Sequence, residues 1–296
     1  MKRRLLALLA TFLCLPLVAQ DQRARPKILG IARVNLYSTN MAAARDFYSK
    51  SISRTDPCIW CEKPPREAEL ILLNGEQIVR VSMTPTPTPS SLLAEVAFFT
   101  NDLAAMKQFL AANHIAFSEA KGTSKITVKD PEGRDIAFVN PLQASPDSVL
   151  NASKLRLIHA GFIVRDRPAT EHFYKDILGF RPYWHGGMKD DQTDWVSMQV
   201  PDGTDWLEFM LNVRGDPDQR LRGIMNHIAI GVPDIRIAEK KLQENGVQLT
   251  EEAKIGRDGK WQLNLYDPDD TRIEFMEFTP VEKPCCSEFT GPHPKP

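Results

Sequence analysis

Apolar and polar positions run through two rhythms along this chain, and the rhythms repeat. From Arg33, RVNLYSTNMAAARDFY opens as a strand, breaks at a polar turn and continues as a helix ending on Phe47-Tyr48. From His159, HAGFIVRDRPATEHFY does the same over the same 16 residues and ends on Phe173-Tyr174. Two further segments align over eight residues, EVAFFTND from Glu95 and HIAIGVPD from His227. A helical stretch follows each, Leu103–Asn113 and Ile235–Asn245. Later, DPEGRDIAFVNP from Asp130 matches DPDDTRIEFMEF from Asp267. Asp-Pro with acidic or Gly neighbours signals a turn, and the alternating apolar run behind it a strand.

The chain therefore divides into four units, near 30–85, 91–141, 155–212 and 222–279, each a strand, a helix and about three more strands. This predicts an α+β fold of four βαβββ modules paired into two domains, 28–141 and 154–280. A linker at 142–153 joins them. Pro85-Thr86-Pro87-Thr88-Pro89 favours an extended chain between the first two units. The tail, 281–296, is rich in Pro, Lys and Cys and is expected to be poorly ordered unless a disulfide ties it down.

Composition bounds the function classes. Charged residues make up 25% and hydrophobic residues 42% of the 296, as in globular proteins. A net charge of -1 supplies no basic excess to neutralise phosphates, so no nucleic-acid partner is expected. Lys2, Arg3 and Arg4 precede an apolar run from Leu5 to Ala19. That pattern reads as a signal peptide over 1–20, too short to span a membrane comfortably. The mature chain is expected to be secreted or periplasmic, without stable membrane insertion, as a monomer or homodimer. Cys58, Cys61, Cys285 and Cys286 would remain after cleavage, and a structural disulfide is favoured over zinc or redox chemistry, with its pairing open. Asn151-Ala152-Ser153 fits a glycosylation sequon, a short pattern common by chance.

Chemistry concentrates in units three and four. His159 and His227 each fall in the first strand of their unit, and Glu208 and Glu274 each in the last. The His-to-Glu spacing is 49 residues in unit three and 47 in unit four. Leu207 and Phe209 flank Glu208, and Ile273 and Phe275 flank Glu274, so alternation lets both carboxylates face inward. A carboxylate on an apolar strand is costly unless paired or coordinated. Two imidazoles and two carboxylates make a donor set for one divalent metal ion, iron, manganese, nickel, cobalt or zinc.

The segments LIHAGFIVRD, HFYKDILGF, MNHIAIGVPD and YDPDDTRIEFME resemble the vicinal oxygen chelate superfamily, which includes glyoxalase I and extradiol dioxygenases. The resemblance runs from about Ile28 to Thr279 and is clearer in the second half. It implies paired βαβββ modules with the metal in the cup between two of them. The first half departs from the pattern: Arg33 stands for His159, Glu95 for His227, Ala137 for Glu274, and Arg80 or Ser82 where unit one would need a Glu. That domain reads as degenerate, with Arg33 and Glu95 as a possible buried ion pair.

Three behaviours follow from the resemblance, all toward a small oxygen-bearing molecule. A glyoxalase-type isomerase or lyase would use Glu208 or Glu274 as both ligand and base. An extradiol dioxygenase would hold Fe(II) with His159, His227 and Glu274 but needs a further acid–base His or Tyr, for which Tyr266 is the tempting candidate. A non-catalytic binder would line the cup with residues such as Trp184, Trp195, Trp206 and Trp261, although ordinary packing suffices for any one of these.

Overall fold

The computed structural model describes residues 24–52, 68–74, 76–119, 122, 124–141 and 155–296. The expected signal segment, Cys58, Cys61, the linker and the sequon lie outside the described residues.

The first strand, β1 (Ile28–Ser38), leads into α1 (Met41–Ser51), then β2 (Ala68–Leu73) and β3 (Gln77–Met83). The second unit runs β4 (Leu93–Thr100), α2 (Leu103–Ala112), β5 (Phe117–Glu119), β6 (Lys125–Lys129) and β7 (Asp135–Val139). Unit three is β8 (Arg156–Ile163), α3 (Arg167–Glu171, continued by a π-helical stretch His172–Ile177), β9 (Arg181–Gly186), β10 (Trp195–Gln199) and β11 (Trp206–Met210). A short helix, α4 (Gln219–Met225), which the pattern does not announce, precedes β12 (His227–Val232). Unit four closes with α5 (Ile235–Glu244), β13 (Lys254–Ile255), β14 (Trp261–Tyr266) and β15 (Arg272–Glu277). The polar break of each unit is a helix cap. Asn40, Asp102, Asp166 and Asp234 each accept a backbone N–H of the first turn. Asn113 and Asn245 end α2 and α5 as C-caps.

Two mixed sheets result, in the orders β2-β3-β1-β4-β7-β6-β5 and β13-β14-β15-β12-β8-β11-β10-β9. Within each, the two units join through their first strands, β1 with β4 and β8 with β12, both antiparallel. The last strand of each unit lies parallel to its first. Each sheet therefore carries two similar units side by side. One apolar core unites both sheets with their helices, from Val34, Tyr48 and Phe98 to Phe162, Tyr174 and Phe275. The opposite face of the second sheet bears its own cluster, including Tyr183, Trp184, Trp206 and Met276. Among the described residues no helix is long and apolar enough to cross a membrane.

The tail corrects the expectation of disorder. Val281 and Glu282 donate backbone N–H groups to the Gly259 carbonyl, Cys285 to Arg257, and Thr290 to Tyr183 on edge strand β9. Phe289 packs 4.9 Å from the Tyr183 ring. Among the described residues, a disulfide joins Cys285 to its neighbour Cys286, a bond within the tail itself. Edge-strand hydrogen bonds and ring contacts order the segment, which composition alone does not reveal.

Candidate metal centre

The four strands at the middle of the second sheet set the site. In register, Glu274 on β15 lies beside Ala229 on β12, which lies beside His159 on β8, which lies beside Trp206 on β11. Two residues along, and so on the same face, His227, Gly161 and Glu208 form a second row. Gly161 is required there. A Cβ on it would lie 2.0 Å from Cε1 of His227. The absent side chain lets the imidazole fold over the sheet.

All four sequence-predicted residues come together on this face. Nε2 of His159 and Nε2 of His227 are 3.1 Å apart. Oε2 of Glu208 is 3.3 Å from His227 Nε2. Oε2 of Glu274 is 3.6 Å from His159 Nε2 and 3.8 Å from His227 Nε2. The ligand atoms of His159, Glu208 and His227 lie within 4.8 Å of one another, and Glu274 Oε2 lies within 3.8 Å of both histidines. Both histidines are buried, and Glu208 is the most exposed of the four at 14%.

The electrostatics suit a cation. Burial holds both imidazoles well below the ordinary histidine range, so they stay neutral with lone pairs to give. Nδ1 of His227 faces the Met225 carbonyl at 3.3 Å. A proton on Nδ1 leaves Nε2 as the acceptor facing the cup. Burial lifts the Glu274 carboxyl to about 7; Arg272 draws it down, while Glu208 and Asp258 push it further up. Two donor nitrogens bound to one metal at about 2.1 Å and at right angles stand about 3.0 Å apart, close to the 3.1 Å between the two histidines. Donor types and spacing both fit one divalent ion.

Three more charged groups share the face. Arg272 donates from Nη2 to His227 Nε2 at 2.7 Å and lies 3.9 Å from Glu274. It stands two residues before Glu274 on the same strand, so alternation could have found it. Lys260 is fully buried with its ammonium 4.5 Å over Trp206, 4.9 Å over Phe289 and 5.7 Å over Tyr183. Burial lowers it to about 8, opposed by Asp258, Glu274 and Glu208. Asp258 is raised by burial to about 6. Lys260 and Asp258 lie in the turn before β14, where no sequence rhythm marks them.

The remaining candidates separate. Tyr266 donates its hydroxyl to Glu251, and Asn264 also engages Glu251, so neither pairs with the four residues. Among the histidines outside the site, His172 pairs with Asp176 and is 68% exposed, and His293 of the tail meets the Tyr183 hydroxyl at 2.6 Å. Trp184 and Trp206 lie buried on the face of the site, Trp195 packs against them, and Trp261 belongs to the helix-side core under Arg236.

At the equivalent place in the first sheet, Glu95 accepts Arg33 at 2.8 Å, Asn35 at 3.1 Å and Lys125 at 2.7 Å. One carboxylate between two protein cations stands where the second sheet gathers its four donors.

Residues 156–275 match the family model described as Glyoxalase/Bleomycin resistance protein/Dioxygenase superfamily. A lactoylglutathione lyase of Haemophilus influenzae is 28% identical over 125 residues, 42% of this chain and 93% of that protein. The substrate complex of homoprotocatechuate 2,3-dioxygenase from Brevibacterium fuscum aligns with a TM-score of 0.62 at 17% identity, covering 93% of this chain and 86% of that one. A room-temperature structure of an extradiol ring-cleaving dioxygenase from B. fuscum aligns at 0.64 and 19% identity, over 91% and 76%. At such identities these two structures share the fold. The second domain, over 156–275, thus resembles the glyoxalase/bleomycin resistance protein/dioxygenase superfamily, and the two sheets together share the fold of the extradiol dioxygenase structures.

Proposed function

We propose that this protein is a metal-dependent enzyme of the glyoxalase type, an isomerase or lyase that moves a proton on a small oxygen-bearing molecule. His159, Glu208, His227 and Glu274 would hold one divalent ion, which when bound polarises a substrate oxygen. The observation that carries the reading is the approach of both glutamates to the paired Nε2 atoms. Four protein ligands with two carboxylates resemble a proton-transfer site, where one carboxylate holds position and the other takes and returns a proton. The roles of Glu208 and Glu274 divide naturally by exposure. Glu274 is walled in, whereas Glu208 has the accessibility a base needs.

Extradiol ring cleavage is the second reading, favoured by the shared fold over nearly the whole chain. The engagement of Tyr266 with Glu251 and the position of Glu208 weigh against it. Activity screens of the metal-loaded protein under air and without oxygen separate the two. Turnover of an α-hydroxycarbonyl or hemithioacetal compound without oxygen supports proton transfer. Oxygen consumption with a catechol supports cleavage.

The basic, apolar N-terminus and the Cys285–Cys286 disulfide support export to a secreted or periplasmic location. Glutathione is mainly cytosolic, so export favours a substrate other than the glutathione adduct of the Haemophilus relative.

A further inference from the structure

Two cations on the site face have donors without acceptors. Nζ of Lys260 is buried and makes no hydrogen bond. Three aromatic rings around an ammonium offset part of its lost hydration but give its N–H groups no acceptor. Asp258, the nearest candidate by sequence, already accepts the backbone N–H of Lys260 and the amide of Gln262. Nε of Arg272 is likewise buried and unpartnered, and its Nη2 spends its bond on His227 Nε2, the atom a metal ion would take. With the ion in place, Arg272 would lose that acceptor. Glu208, Glu274 and Asp258 stand against Lys260 and Arg272 here, so a divalent ion would leave one surplus positive charge. Desolvated charge of one sign beside open donors is a recognition element for the opposite sign.

We propose that Lys260 and Arg272 form an anion-recognition pair beside the metal ligands, and that the substrate is a small oxyacid. One of its oxygens would meet the metal while a separate carboxylate accepts from the two cations. This rests on the metal-centre reading above and adds the substrate class to it. The aromatic walls, Trp206, Tyr183 and Phe289, restrict the carboxylate arm to a short apolar linker. Phe289 comes from the tail, so the tail completes this end of the site.

The test uses the full chain loaded with Co(II) and two chelating probes, acetohydroxamate and succinic monohydroxamate, which differ by a carboxylate arm. Binding is read from the visible cobalt spectrum. The carboxylated probe should bind about tenfold more tightly, the scale of one charge-assisted hydrogen bond. Lys260→Met and Arg272→Met should each remove most of that preference and leave acetohydroxamate affinity within about twofold. Arg272 is partly exposed, so its variant carries the test if Lys260→Met fails to fold. Equal binding of the two probes by the cobalt-loaded wild type, or an unchanged preference in the folded variants, would overturn the proposal alone. Failure of the wild type to take up cobalt would overturn the metal reading and the proposal with it.

Discussion

Tyr48 of the first domain donates its hydroxyl to Asp267 of the second at 2.8 Å, and Tyr174 of the second returns a bond to Asp130 of the first at 3.1 Å. The two tyrosines close equivalent helices, and the two aspartates open equivalent Asp-Pro turns. Each domain thus locks its helix to the turn preceding the other's last strand. For the second sheet, that strand carries Glu274. Ser38 and Thr39 add bonds to Asp269 in the same turn.

Tyr48→Phe should therefore lower stability by roughly 1.5–3 kcal/mol, the range for a hydrogen bond to a charged partner. Burial raises Asp267 to about 6, and the Tyr48 bond opposes that rise. Urea denaturation at pH 7 measures the loss. Metal content of the folded variant should be unchanged, since none of the four donor residues is touched.

The charged cluster in the first domain predicts an acid-range effect. Burial pushes the Glu95 carboxyl up, but Lys125 and Arg33 outweigh it and hold it below its ordinary value. Ionised Glu95 thus contributes stability that is full above the unfolded-state value of about 4.3 and is lost as pH falls through the lower folded-state value. Glu95→Gln should cost roughly 1–3 kcal/mol at pH 7. It should also flatten the fall in denaturation midpoint on acidification. An equally steep fall in the variant would show that the cluster is electrostatically idle.

Gly161→Ala isolates the geometry of the site from its donor chemistry. The added methyl meets the His227 ring and forces it to shift, while no donor is deleted. Divalent-metal affinity should drop by about 10–100-fold, as when the support of a ligand is altered. A cobalt titration reads this directly, and unchanged affinity would mean that His227 is not a ligand.

Much of this was legible because the chain repeats. Placing His159 over His227 and Glu208 over Glu274 by their positions in the units identified four side chains that the second sheet gathers on one face. The same alignment marked Arg33 and Glu95 as a divergent pair, and the fold shows them bonded. What escaped lies outside the repeat. Lys260 and Asp258 sit in a turn whose local pattern is that of any polar connection, and only the pairing of the following strand, β14, with β15 brings them to the site. The tail was misjudged because its order comes from contacts with β9 and the Gly259 turn, distant in sequence. The crosswise use of Tyr48 and Tyr174 was likewise hidden, since periodicity places a residue on a helix face without naming the domain it meets.

Elemental analysis of the purified chain and three variants tests the central claim most directly. Wild-type protein and Arg33→Ala should each retain about one divalent ion per chain, whereas His159→Ala and Glu274→Ala should retain almost none. Full metal content in both His159→Ala and Glu274→Ala would contradict the account.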